Sequence, residues 1–233
     1  MRLLVTRPEP DASRTASTLA ARGHIPILAP MLTAALLPPP SLIEPPAAIL
    51  FTSVNAVRAV AAWPPATLPR DLPVLTVGDR TADAARAAGF ADARSADGDS
   101  AALASLAAET LDPRAGPLLY PTLATPSGDL AARLRTAGFT VDLIEAYRMI
   151  AAPALPEIAQ AAIVGGTLDG VLLYSRRTAE TFIALAAPLK PHLAALAFYC
   201  LSAEVAAALE TGRIRVASEP NEAALLALLE GGT

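Results

Sequence analysis

The sequence predicts an α/β protein built as two open, mostly parallel-sheet domains, with internal duplication and a two-segment linker. Three observations carry this. Short apolar runs alternate with alanine-rich amphipathic stretches, the pattern of βαβ units. The chain repeats itself: LLVTRPEPDASRTASTLAARGHIPI from Leu3 aligns with LLYPTLATPSGDLAARLRTAGFTVD from Leu118, and Gly23 falls on Gly138 without a gap. Pro-rich stretches at 36–46 and 151–156 then interrupt the pattern where linkers belong.

Each element has its own justification. The runs at 3–5, 49–52, 74–77, 118–120, 171–174 and 197–200 are strand-length and apolar on both faces. Parallel strands covered by helices on both sides require that. A polar or Pro-containing turn and an alanine-rich helix follow each run. A second repeat pairs AILFTSVNAVRAVAAW, around Phe51, with GVLLYSRRTAETFIAL, around Tyr174. Downstream, PVLTVGDRTADAARAAGF runs parallel to LAFYCLSAEVAAALETGR, and SAALASLAAE from Ser100 matches EAALLALLE from Glu222. The order is repeat A, repeat B, repeat A, repeat B. Linkers at 36–46 and 149–156 give one domain from 1–35 plus 157–233 and another from 47–148. Two consecutive domains cut near Gly116 are the alternative, which the turn at 113–117 permits.

Composition narrows the partners. The 233 residues carry 18 Lys and Arg against 22 Asp and Glu, a net charge of −4, so no basic footprint for nucleic acid exists. The opening MRLLVTRPEP meets Arg and Pro too early for a signal peptide. Elsewhere apolar runs break well before the ~18 residues of a membrane span. Cys200 is the one cysteine, which excludes an internal disulfide, and with His24 and His192 it cannot build a typical zinc site. A metal-free protein of the reducing cytoplasm is expected, monomeric and with no nucleic-acid or membrane partner.

In open α/β sheets ligands bind beyond the carboxyl ends of the strands, at helix N-termini. The turns there are Thr6-Arg7-Pro8, Thr52-Ser53-Val54-Asn55, Gly78-Asp79-Arg80-Thr81, Pro121-Thr122, Ser175-Arg176-Arg177-Thr178 and Ser202-Ala203-Glu204. Hydroxyls and arginine forks both donate, which suits carboxylate or phosphate groups. The plainer reading is that Ser53, Thr81, Ser175 and Ser202 only cap helices, at ~1 kcal/mol each. Dinucleotide, phosphate-loop and nucleophile-elbow glycine signatures are all missing. His24 reads as a surface residue, His192 as part of a loop, Cys200 as core and Trp63 as a packing anchor. Tyr147, in EAYRM before a linker, can donate a hydrogen bond into a cleft or simply pack between domains.

These residues also carry a family resemblance. LVTRP at 4–8, FTSVNAV at 51–57, VGDRTADAARAAG at 77–89 and LRTAGFTVDLIEAYRM at 134–149 resemble uroporphyrinogen-III synthase. LLYSRRTAETF and CLSAEVAAAL occupy the corresponding second-half places, so the resemblance spans essentially the whole chain. It implies two flavodoxin-like α/β domains, one assembled from both chain ends, on a flexible two-stranded connector. It also implies a cofactor-independent enzyme acting on hydroxymethylbilane, a linear tetrapyrrole bearing carboxylates. Such an enzyme assists loss of water, inverts ring D through a spiro intermediate and closes the macrocycle. By position Tyr147 matches the tyrosine proposed to help the hydroxyl leave. Ser53, Asn55, Thr81, Ser175 and Ser202 fall on cleft turns, with Arg7 and Arg176 as carboxylate partners.

The chain departs from that pattern in two places. Ser202 and Glu204 stand where the family has glycine and threonine, and Pro121-Thr122 where many members have Arg-Gly. Glu204 adds a carboxylate near a polyanion site, and Arg176 with Arg177 would compensate. These departures leave a second reading, a noncatalytic binding or sensor module for an anionic small molecule such as a tetrapyrrole. A nucleotide-dependent transferase is a third, which the missing glycine signatures oppose.

Overall fold

The computed structural model describes residues 1–126 and 128–230. In chain order the first stretch holds β1 (Arg2–Val5), α1 (Asp11–Ala21), β2 (Ile25–Leu28) and β3 (Leu32–Leu36). Next come β4 (Ala48–Phe51), α2 (Val54–Ala61), β5 (Val74–Thr76), α3 (Asp79–Ala87), β6 (Ala93–Ser95) and α4 (Ser100–Thr110). They are followed by β7 (Leu118–Thr122), α5 (Leu130–Thr136), β8 (Val141–Glu145) and β9 (Tyr147–Ala151). The last stretch has α6 (Glu157–Val164), β10 (Gly170–Leu173), α7 (Arg176–Ala186), α8 (Lys190–Leu193), β11 (Ala197–Cys200), α9 (Ala203–Ala206), β12 (Arg213–Val216) and α10 (Glu222–Ala227).

Two compact units result, one from Met1–Thr33 with Met149–Thr233 and one from Ala34–Arg148. The first holds a sheet of order β12-β11-β10-β1-β2, the second a sheet of order β6-β5-β4-β7-β8. Every pairing in both sheets is parallel. The two orders are one topology: β10, β11, β12, β1 and β2 correspond to β4, β5, β6, β7 and β8. Repeat A thus supplies two strands of each sheet and repeat B the other three. β3 and β9 pair as a separate two-stranded sheet, so strand structure enters both of the Pro-rich stretches.

Burial explains why the strands read as unbroken apolar runs. In β1, Leu3 and Val5 join one cluster with Leu172, Tyr199, Leu225 and Leu226, while Leu4 joins Val171, Phe182 and Phe198 on the other face. The second unit packs Leu50, Leu75, Leu118 and Tyr120 against Leu103 of α4 and Leu134 of α5. Trp63 is buried and donates its indole N–H to the Leu37 carbonyl at 2.9 Å, the anchor its sequence position suggested.

Caps fix the helix starts. Ser53, Ser175 and Ser202 accept from the backbone N–H of Ala56, Thr178 and Val205. Thr81 does not cap: Gly78 occupies that position, and Thr81 is buried within the first turn of α3. His192 lies in the short helix α8 rather than in a loop, because Lys190 and Pro191 start a turn directly after a 3₁₀ segment.

Candidate active site

The second sheet grows outward in both directions from the β4–β7 pair, which leaves a crevice between their carboxyl ends. A cavity of about 240 Å³ opens there. Its wall includes Thr52 and Ser53 after β4, Tyr120 and Thr122 of β7, Ser100 at the start of α4, and Tyr147 of β9. These are six hydroxyl side chains, and among the described residues no charged one lines the cavity.

Two hydrogen bonds order the hydroxyls. Ser53 Oγ lies 3.0 Å from Tyr147 Oη, and Thr52 Oγ1 lies 3.3 Å from Tyr120 Oη. Ser53 Oγ also accepts from the Ala56 N–H at 3.1 Å, so the α2 cap sets its position. Burial pushes the Tyr147 phenol above its ordinary value; the bond to Ser53 opposes that, and nearby Tyr120 adds to it. The phenol therefore keeps its proton at neutral pH and can donate it. Asn55, in the first turn of α2, holds its carbonyl oxygen buried without a partner among the described residues. Tyr120 also borders an adjoining cavity of about 230 Å³, which Arg135 and Asp129 line.

The equivalent positions of the first unit carry larger side chains that pair with one another. By the alignment of Leu118 with Leu3 and of Ser53 with Ser175, Thr122 corresponds to Arg7 and Thr52 to Tyr174. Ser100 likewise corresponds to Glu222. Where the second unit has three small hydroxyl side chains, the first has a guanidinium, a phenol and a carboxylate. Arg7 donates to Glu222 at 3.0 Å and to Asp11 at 3.1 Å, and its guanidinium lies 4.2 Å from the Tyr174 ring centroid. Arg14 reaches the other Glu222 oxygen at 2.8 Å, and Thr15 and Tyr174 donate to the first. Arg7, expected as a carboxylate partner, is here paired with the chain's own Glu222 and Asp11.

The other expected residues are distributed. Ser53, Asn55 and Tyr147 belong to the second unit, where the first and last share a hydrogen bond. Ser175, Arg176 and Ser202 follow β10 and β11 of the first unit. Arg176 is exposed and pairs with Glu180 at 2.8 Å, while Arg177 donates to the Met149 carbonyl at 2.7 Å. Ser202 caps α9 as a serine should, and Glu204 is exposed. Thr52 and Thr122 lie in the expected turns but were not singled out, and Ser100 and Tyr120 were not anticipated beside a site. The repeat held the signal for two of them, since Thr122 aligns with Arg7 and Ser100 with Glu222. Cys200 is buried, which pushes its thiol up to about 11 and leaves it unfit as a nucleophile. Among the described residues no cluster of three metal-ligating side chains occurs, and no helix is long and apolar enough to cross a membrane.

Two duplicated parallel α/β units, with a hydroxyl-lined crevice at the strand carboxyl ends of one, define the class as a two-unit, parallel-sheet α/β protein. The family model for uroporphyrinogen-III synthase HemD matches residues 13–230. The chain belongs to the uroporphyrinogen-III synthase family. The uroporphyrinogen-III synthetase of Helicobacter pylori shares the fold at TM-score 0.62 and 15% identity, over 98% of this chain and 97% of that one. A mutant uroporphyrinogen III synthase of Thermus thermophilus aligns at TM-score 0.49 and 18% identity, over 99% and 97%. No curated protein matches the sequence.

Proposed function

We propose that this chain cyclises hydroxymethylbilane to uroporphyrinogen III, with inversion of ring D and loss of water, and that Tyr147 assists departure of the hydroxyl. The observation that carries the residue assignment is the Ser53–Tyr147 pair in an uncharged crevice. As the pyrrole nitrogen pushes electrons toward the hydroxymethyl carbon, the carbon–oxygen bond breaks. The Tyr147 O–H donates to the departing oxygen, which leaves as water. Ring D then bonds through the spiro intermediate, inverts and closes the macrocycle, and the proton that its α carbon loses on closure restores the Tyr147 phenol. A buried, protonated phenol suits that donation, and the Ser53 cap fixes its direction.

The remaining task is to hold a flexible polyanion in one reactive conformation, for which orientation alone can contribute ~7–11 kcal/mol. Hydroxyls and first-turn N–H groups at Ser53, Asn55, Thr81, Ser175 and Ser202 serve as donors in this reading, with Arg176 as a cationic partner. Arg135, beside the crevice, is a further cation within reach of Tyr120. The reading takes the enzyme to be a cytoplasmic monomer, supported by its single buried cysteine and acidic composition. The test of the assignment is Tyr147→Phe, assayed for formation of the type III isomer. We expect kcat to fall about 100-fold with KM little changed. An unchanged kcat would remove Tyr147 from the chemistry.

A further inference from the structure

We infer that the first unit carries a second ligand site, at the amino-terminal ends of its strands, for a small oxyanion such as a phosphate or a short dicarboxylate. Its starting point is a glycine. Gly170 pairs with Ala197 in the middle of the sheet, and a Cβ there would lie 2.6 Å from Tyr199 Cε2 and 2.9 Å from the Ala197 carbonyl oxygen. Only a glycine lets the Tyr199 ring lean back over β10 toward the start of the strands. Tyr199 is 2% exposed, and its hydroxyl makes no hydrogen bond to the described residues.

A cavity of about 150 Å³ opens at that end, lined by Tyr199, Arg213, Arg215, Asp169 and Leu229. Such a space holds several water-sized groups, which matches a tetrahedral oxyanion or a three-carbon diacid. Register puts both arginines on the tyrosine's face: Arg213 stands opposite Ala197 and Arg215 opposite Tyr199. The Arg215 guanidinium lies 5.9 Å from the Tyr199 ring centroid. One N–H of each arginine is held by backbone, from Arg213 to the Ala195 carbonyl at 3.1 Å and from Arg215 to the Leu228 carbonyl at 3.3 Å. That fixes each fork while leaving other N–H groups to donate. Asp169 opposes them with one negative charge, but it accepts from the Arg2 N–H at 2.6 Å, and the two arginines outweigh it.

β12 is an edge strand, and arginines on an edge discourage pairing with other chains. Edge protection alone requires neither a phenol lining this cavity without a hydrogen-bond partner nor a glycine to seat its ring. The site is also distinct from the turns assigned to the substrate. Those lie beyond the opposite ends of four-residue strands, roughly 13 Å away.

The test is titration of the full-length protein with inorganic phosphate and, separately, with malonate, at ionic strength held constant with sodium chloride. Calorimetry reads affinity, and fluorine NMR of protein carrying 3-fluorotyrosine reads the four tyrosines. We expect saturable one-to-one binding of at least one probe in the millimolar range, moving the single resonance that Tyr199→Phe abolishes. Arg215→Gln should weaken that binding about tenfold and Arg213→Gln comparably. Arg94→Gln, in the other unit, should leave it unchanged. Phosphate binding alone, or malonate binding alone, identifies the chemistry of the ligand. Absence of saturation with both probes would overturn the site. So would a response that chloride reproduces, or arginine variants that bind like the parent while melting at its temperature. None of these readouts depends on turnover of hydroxymethylbilane.

Discussion

Tyr147 and Glu222 show how single side chains acquire their roles from burial and partners. Burial raises the Tyr147 phenol, so its protonated form persists up to and beyond the ordinary value of 10. A rate that depends on this proton is insensitive to it between pH 7 and pH 9, and falls only as pH rises through the elevated value. The kcat profile of the parent, compared with Tyr147→Phe, checks this; a limb near neutrality that the variant abolishes would contradict it. Glu222 behaves in the opposite sense. Burial works against its ionisation, but the Thr15 hydroxyl, Arg7 and Arg14 together hold its carboxyl below the ordinary 4.5. Its contribution to stability is therefore complete above 4.5 and is lost as pH falls through the lower folded value. Glu222→Gln should destabilise the protein by about 1–3 kcal/mol at pH 7 and by much less at pH 3. Equal losses at both pH values, measured by denaturant melts, would refute the assignment. Ser53 stood out in the sequence because a polar turn follows its strand, and Tyr147 because it lies just before a linker. The pairing of Arg7 with Glu222 was not legible, because the two lie 215 positions apart and nothing local announces the pair. Tyr120 was invisible as a site residue for a different reason: its strand is apolar throughout, so a phenol there reads as core.

At the scale of elements, β1, β4, β5, β7, β10 and β11 were readable because burial on both faces leaves continuous apolar runs. β3 and β9 were not, because a Pro-rich neighbourhood signals a linker and the pairing between them is long-range. Glycines mark where elements touch. Gly212, at φ +91°, precedes β12, and a Cβ there would enter the Phe198 ring. Gly170 gives way to Tyr199 in the same manner within β10. Replacing either with alanine should cost about 1–3 kcal/mol through overpacking, with an added strain at Gly212. Thermal melts check this, and a variant that melts like the parent would show that the ring can move aside. Ser53→Ala should lose the α2 cap, ~1 kcal/mol, and also loosen Tyr147. A fall in activity larger than the fall in stability is the expected signature.

Duplication governs the whole molecule. Two copies of one topology were built from repeats in the order A, B, A, B, so the central repeats form a unit from consecutive chain while the outer repeats must meet across it. Residues 34–148 contain the complete second sheet and its own core. Expressed alone, that segment should give a cooperative thermal transition, whereas 1–33 should not, since it lacks β10 beside β1. The copies then diverged at equivalent crevice positions. One has small hydroxyls around a cavity, and the other has an arginine, a tyrosine and a glutamate in contact with one another. The most direct test supplies freshly made hydroxymethylbilane to the purified protein and separates the oxidised porphyrin isomers. Spontaneous closure gives the symmetric type I isomer and serves as the internal blank. The account predicts a dominant type III product without any added cofactor; type I alone, at the blank rate, would contradict it.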